Sequence, residues 1–197
     1  LTLGALYLIF NRHAEALPLL QEAGKLAPEV ENPLILDRGI LIWSLSSNWM
    51  GRFGDALKVQ ARWRDAIKRR GGVPVLMSAW VEALFRGGKG EYKPALALLE
   101  DMFATAKRMS ELFYLARSLN TMGWIYSELQ DHHPAMTWNL QGVETAQEAN
   151  FAIPGCENNA RLNVGDNLLA LDKLDEAEEQ FQKVEQVVRN PRPQDPY

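Results

Sequence analysis

Five alanines, Ala16, Ala56, Ala95, Ala135 and Ala177, recur along the chain at spacings of 40, 39, 40 and 42 residues. Twelve residues before each stands a small residue: Gly4, Ser44, Ala83, Gly123 and Gly165. This repeat constrains the fold more than any other property of the sequence. A unit of about 40 residues is one supersecondary element, which buries its apolar face only by stacking on its neighbours. The paired small residues give the period a physical meaning. Two antiparallel helices joined by a short turn approach most closely at one crossing point, and Gly, Ala or Ser on both sides lets the backbones meet there.

Helical periodicity follows each anchor alanine. Ala16, Leu20, Ala23 and Leu26 form one apolar stripe, Ala56, Val59, Trp63 and Ile67 a second, Ala95, Leu98, Met102 and Ala106 a third, and Ala177, Phe181, Val184 and Val188 another. Strand-type alternation is absent. Turn chemistry stands between the halves of each block, at Asn11-Arg12-His13, Gly51 to Asp55, Gly87 to Gly90, Asp131 to Pro134 and Asp172 to Asp175. Breaks between blocks fall at Pro28 to Pro33, Gly71 to Pro74, Met109-Ser110 and Asn150 to Pro154. The expected organisation is one all-α repeat domain over 1–190, with helix hairpins at 1–30, 31–71, 72–109, 110–150 and 151–190. A proline-rich tail follows at 191–197.

The first block carries a family resemblance. Leu3-Gly4, Tyr7, Ala16, Leu20, Ala23 and Pro28 fall on the tetratricopeptide (TPR) pattern. Met122-Gly123, Tyr126 and Ala135 repeat part of it, as do Gly165, Leu168, Ala177 and Phe181. The chain resembles a TPR array over nearly its whole length. The resemblance implies a TPR-like α-solenoid of about five antiparallel hairpins in a right-handed superhelix. Its period of about 40 exceeds the usual repeat of roughly 34 residues, as helices one turn longer would produce. Glu82 and Arg86 occupy expected apolar positions, which predicts a shifted register for the first helix of the third block. The long period, with Leu119 to Tyr126 and Asn167 to Leu171, is similar to the C-terminal TPR regions of bacterial signalling ATPases, nucleotide cyclases and related transcription regulators.

Composition narrows the function. A net charge of −4 and a pI near 5.5 oppose direct nucleic-acid or anionic-membrane binding. No apolar run approaches the roughly 20 residues that cross a bilayer. Cys156 is the single cysteine, which excludes an internal disulfide and suits a reducing compartment, read here as the cytoplasm. The chain opens inside an apolar pattern, as expected of a piece of a longer protein, and the lack of polar caps at its ends predicts self-association.

Signatures of chemistry are missing. His13, His132 and His133 stand in turns without a carboxylate or thiol at ligand spacing, so solvated turn residues are expected and no metal or other cofactor. Gly87-Gly88-Lys89-Gly90 is a turn rather than a phosphate loop, because Ala83 replaces the first glycine and Gly90 the hydroxyl residue. Cys156 reads as a packed or half-exposed thiol. The carboxylates Asp172, Asp175, Glu176, Glu178 and Glu179 complement a helix N-terminus. Lys58, Arg62, Arg64, Lys68, Arg69 and Arg70 read as a solvated face, or as a dock for an acidic segment. With no paired nucleophile and base, an enzyme is not expected.

What remains is a binding surface. In a TPR array the first helix of each hairpin lines the concave side. Alignment on the small residue places Arg38, Leu41, Leu45, Asn48 and Trp49 there from the second block, and Trp80 and Leu84 from the third. The fourth gives Arg117, Asn120, Trp124 and Glu128, and the fifth Asn159, Asn163 and Asp166. The N-terminal half is apolar and aromatic and suits an amphipathic partner helix. In the C-terminal half, asparagines suit the backbone of an extended peptide, Arg117 a carboxylate, and Trp124 a flat apolar contact. Two alternatives stay open: Trp49, Trp80 and Trp124 face the groove or fill the core, and the asparagines bind a partner or satisfy groups buried between repeats. Chaperone-binding TPR proteins need Lys and Asn where Leu1 and Ala5 stand, so no chaperone partner is expected. The function expected is a non-catalytic scaffold for a protein or peptide segment within a bacterial signalling or regulatory protein. The alternative is a sensor that binds a small molecule and transmits it through superhelix curvature.

Overall fold

A computed structural model describes Gly4, Tyr7, residues 12–26, Ser47, residues 50–149 and residues 154–190. The described residues contain no strands; Gly4, Tyr7 and Ser47 are helical, and eight helices have described bounds. They are α1 (His13–Leu26), α2 (Phe53–Arg70), α3 (Val73–Gly88), α4 (Tyr92–Met109), α5 (Leu112–Glu128), α6 (His132–Glu148), α7 (Pro154–Ala170) and α8 (Leu174–Arg189). The chain divides into two compact units, 1–95 and 96–197.

The period seen in the sequence is a period of backbone geometry. Five residues before an anchor alanine stands a left-handed residue: Gly51 (φ 67°), Gly90 (φ 78°), Gln130 (φ 60°) and Asp172 (φ 59°). The next residue closes the turn by donating its N–H five residues back. These bonds are Arg12 to Tyr7 (2.7 Å), Arg52 to Ser47 (2.8 Å), Glu91 to Arg86 (2.8 Å), Asp131 to Tyr126 (2.9 Å) and Lys173 to Leu168 (2.9 Å). This six-to-one closure satisfies carbonyls that the end of a helix leaves open, and its geometry needs a left-handed residue. The anchor alanine then donates to the closing residue's carbonyl, as in Ala135 to Asp131 (3.2 Å) and Ala177 to Lys173 (3.0 Å), starting the second helix. All five anchor alanines are buried.

The small residues do something different from the expected backbone-on-backbone crossing. A Cβ added to Gly4 would stand 2.8 Å from Cδ2 of Leu20, one on Gly123 2.3 Å from Nδ2 of Asn139, and one on Gly165 2.4 Å from Cε1 of Phe181. Each glycine therefore receives the side chain sixteen residues on, four past the anchor alanine. Missing Cβ atoms make room for large side chains from the opposing helix.

In unit 1, α2 packs on α3. Trp80 is only 7% exposed and belongs to the core with Leu76, Val81 and Phe85, so its ring is not open groove surface. Glu82 and Arg86 need no register shift to be accommodated. Glu82 is buried and accepts from Arg86 Nη2 (2.8 Å) and Nε (3.1 Å) and from Arg64 Nη2 of α2 (3.3 Å), while Arg86 Nη1 reaches Glu91 (2.9 Å). The ion pairs, chiefly the hydrogen bond to Glu82, hold the Arg86 pKa above its ordinary value. In unit 2, α5 packs on α6, α6 on α7, α7 on α8, and α5 also touches α7. Ala116, Ala146 and Cys156 form one buried cluster with Phe113 against it, and Val164, Leu168 and Ala177 another with Met136 and Phe181.

Candidate functional site

The contact of α5 with α7 brings the first helices of two hairpins side by side and makes the site. On α5, Arg117, Asn120, Trp124 and Glu128 recur at three- and four-residue spacing and so share a face. On α7, Asn159, Asn163 and Asp166 do the same. A cleft of about 450 Å³ lies between them near the start of α6, lined by Trp124, Ser127, Glu128, Gln130, His132, Asn163, Asp166 and Asn167.

Its floor is a polar network that joins the helices. Asn167, 1% exposed, donates both hydrogens of Nδ2, to the Asn163 carbonyl (2.6 Å) and to Ser127 Oγ (2.7 Å). Its Oδ1 accepts from His132 Nδ1 (2.8 Å), which assigns the ring proton to Nδ1 because an amide oxygen only accepts. The single Ser127 hydroxyl proton goes to Asn167 Oδ1 (3.0 Å) or to the Gly123 carbonyl (3.1 Å). Asn163 Nδ2 donates to Asn120 Oδ1 at 2.7 Å. At the rim, the Trp124 indole N–H donates to Glu128 Oε1 at 3.0 Å.

The sequence-derived residues thus separate into groups. Trp124, Asn163 and Asp166 line the cleft. Asn120 is 9% exposed and its amide oxygen is taken by Asn163, so it joins α5 to α7. Arg117 is half-buried, with its guanidinium 5.3 Å from the Phe113 ring centroid and its Nη2 3.4 Å from where a Cβ on Gly155 would stand. It does not line the cleft. Asn159 is exposed on α7 outside it. Arg38, Leu41, Leu45 and Trp49, with Asn48, lie outside the described residues.

Four lining residues were not assigned to the groove from the sequence: Ser127, Gln130, His132 and Asn167. His132 is no solvated turn residue, since its ring is bonded to the buried Asn167. A signal was present, because Ser127 and Asn167 are 40 residues apart, close to the 42 that separate Ala135 and Ala177. Residues one period apart on first helices are neighbours in a stacked array. Among the described residues no group of three His, Cys, Asp or Glu side chains is arranged to hold a metal ion, and no helix is long and apolar enough to cross a membrane.

No family model matches the chain, and no curated protein matches it. Solved structures do. A Rap protein complexed with Competence and Sporulation Factor superposes with a TM-score of 0.79 at 14% identity, covering 92% of this chain and 50% of the Rap chain. TTC0263, a thermophilic TPR protein of Thermus thermophilus, gives 0.70 at 20% identity, with 98% and 91% covered. The TPR-like repeats of a putative kinesin light chain from Podosopora anserina give 0.63 at 16% identity, with 94% and 91% covered. The fold is a TPR-like helical solenoid. At these identities the likeness is one of fold, and the chain spans half the length of the Rap protein.

Proposed function

We propose that this TPR-like chain is a non-catalytic protein-interaction scaffold whose α5–α7 face takes an extended segment of a partner protein. One observation carries the reading. The two first helices build a cleft whose floor is fixed by side-chain hydrogen bonds between them, with Trp124, Asn163 and Asp166 at its wall. A pre-ordered polar cleft binds without first having to order its own side chains. The Rap structure complexed with Competence and Sporulation Factor supports a binding role for this fold. The finer reading is a cytoplasmic module of a bacterial signalling or regulatory protein. It binds neither nucleic acid nor membrane. Leu174 and Val188 of α8, 60% and 65% exposed, offer a surface for self-association, which a strictly monomeric light-scattering mass at high concentration would oppose.

The test is capture from a bacterial lysate by the chain and by a Trp124→Ala/Asn163→Ala variant of matched helicity. A protein captured by the first and lost by the second is the expected result. Equal capture by both removes the cleft from the proposal. A cleft of this volume is also within the range of small-molecule sites, so a co-purified low-molecular-weight compound lost in the variant would instead support a sensor.

A further inference from the structure

The hydrogen-bond inventory of the cleft determines what its ligand must offer. Its donors are largely consumed inside the protein. Asn167 spends both amide hydrogens, Asn163 gives one of its two to Asn120, the His132 Nδ1 proton goes to Asn167, and the Trp124 N–H goes to Glu128, which leaves one amide hydrogen each on Asn163 and Gln130. Gln130 donates to the Ser127 carbonyl at 3.3 Å. The acceptors are left over. Asn163 Oδ1 and Gln130 Oε1 have no partner among the described residues, and His132 with its proton on Nδ1 keeps Nε2 as an acceptor. Glu128 and Asp166 are exposed, and neither forms an ion pair among the described residues. No Lys or Arg lines the cleft.

An excess of acceptors, two carboxylates and an indole ring call for a ligand that chiefly donates, carries positive charge and tolerates an aromatic neighbour. Guanidinium fits all three requirements, with five N–H donors, no acceptor, a permanent charge and a planar face that stacks on Trp. An anion or a carboxylate terminus would face the two carboxylates without a counter-charge.

We infer that the cleft between α5 and α7 is a specificity pocket for an arginine side chain of the partner segment, held by Glu128 and Asp166 beside Trp124. The inference rests on the scaffold reading above and names the chemistry of its partner. It makes Glu128, already placed on the groove face by its spacing, a specificity residue, and it reverses the polarity expected from Arg117.

The experiment is a phage-display selection of random heptapeptides on the intact chain, with negative selection on a Trp124→Ala variant. Selected peptides are resynthesised with citrulline, the neutral isostere, in place of arginine, and titrated against the chain and a Glu128→Gln/Asp166→Asn variant. The expected result is enrichment of arginine at one position, with affinity falling about tenfold or more on either neutralisation. Binding should also weaken with salt. Peptides that depend on Trp124 but carry no basic residue, or that bind equally with citrulline, overturn the arginine pocket and leave the scaffold standing. Failure to select any Trp124-dependent peptide overturns both.

Discussion

Asn139 fills the space that a side chain on Gly123 would occupy: a Cβ there would stand 2.3 Å from its Nδ2, 2.4 Å from its Cγ and 2.5 Å from its Oδ1. The whole amide, not its tip, lies in the notch, so it has no short way out. Gly123→Ala should therefore cost about 1–3 kcal/mol, as overpacked cores do. Urea unfolding of the variant measures it. Adding Asn139→Ala to Gly123→Ala should recover part of the loss, which separates this clash from a change in helix propensity.

Asn139 is fully buried and neither amide atom has a hydrogen-bond partner among the described residues. The equivalent position of the first repeat holds Leu20, seated against Gly4 in the same way. Asn139→Leu should stabilise the protein by about 1 kcal/mol or more, because the penalty for an unpaired buried amide disappears. A lower urea midpoint in the leucine variant would show that the amide has a partner in solution.

Gln130 and Asp172 hold the left-handed turn position that Gly51 and Gly90 hold in other repeats. A side chain there costs about 1–2 kcal/mol relative to right-handed backbone, and glycine avoids that cost. Gln130→Gly should raise stability by about 1 kcal/mol and the melting temperature by roughly 2–4 °C. Gly90→Ala should lower it by a similar amount. Thermal melts of the two variants in parallel check the sign.

The repeat was legible because its strongest constraints are local. A helix crossing tolerates only a small anchor, and a tight turn leaves Gly or Asp at a fixed distance before it, with Gln130 the exception. The partner of each small residue was not legible. Leu20, Gln60, Leu99, Asn139 and Phe181 stand at the same place in five repeats and mix aliphatic, amide and aromatic side chains. The notch fixes where a side chain goes and is permissive about which one fills it. Glu82 and Arg86 misled for the same kind of reason: their burial is compatible with charge only through Arg64, which comes from another helix. At the site, Trp124, Asn163 and Asp166 could be found by alignment on the small residue. The role of Asn120 could not, since whether an asparagine meets a ligand or the next helix depends on the packing of α5 against α7.

Glu82 ties α2 to α3 through Arg64 and Arg86, with its own side chain 11% exposed. Glu82→Ala leaves Arg86 without its main partner and should cost about 2 kcal/mol, less than for a fully buried pair because both arginines are partly exposed. Glu82→Leu should cost less, since it removes a buried charge and restores packing. Lys89, chiefly by hydrogen bonding, holds the neighbouring Glu91 carboxyl below its ordinary range. Its contribution is therefore present above the ordinary carboxylate pKa and lost as pH falls through the lowered value. Urea unfolding of the three proteins at about pH 7 tests the first statement, and a larger loss of stability in the wild type than in Glu91→Gln between about pH 7 and about pH 2.5 tests the second.

Burial pushes the Cys156 thiol above its ordinary range, and the nearby Arg117 charge offsets this only in part. The residue is 1% exposed among Ala116, Ala146 and Phe113, so protonation and access act in the same direction. Alkylation by iodoacetamide at about pH 8 should be far slower in the folded chain than in urea, since only the thiolate reacts. The sign for stability follows from the raised value: the contribution is complete below the unfolded thiol pKa of about 8.5 and is lost as pH rises toward the folded one. Unfolding midpoints of the wild type should thus fall between about pH 7.5 and about pH 9.5 by more than those of Cys156→Ala. Equal falls in the two proteins, or native alkylation as fast as in urea, would place the thiol in contact with solvent and detach it from the packing of α7 on α5 and α6.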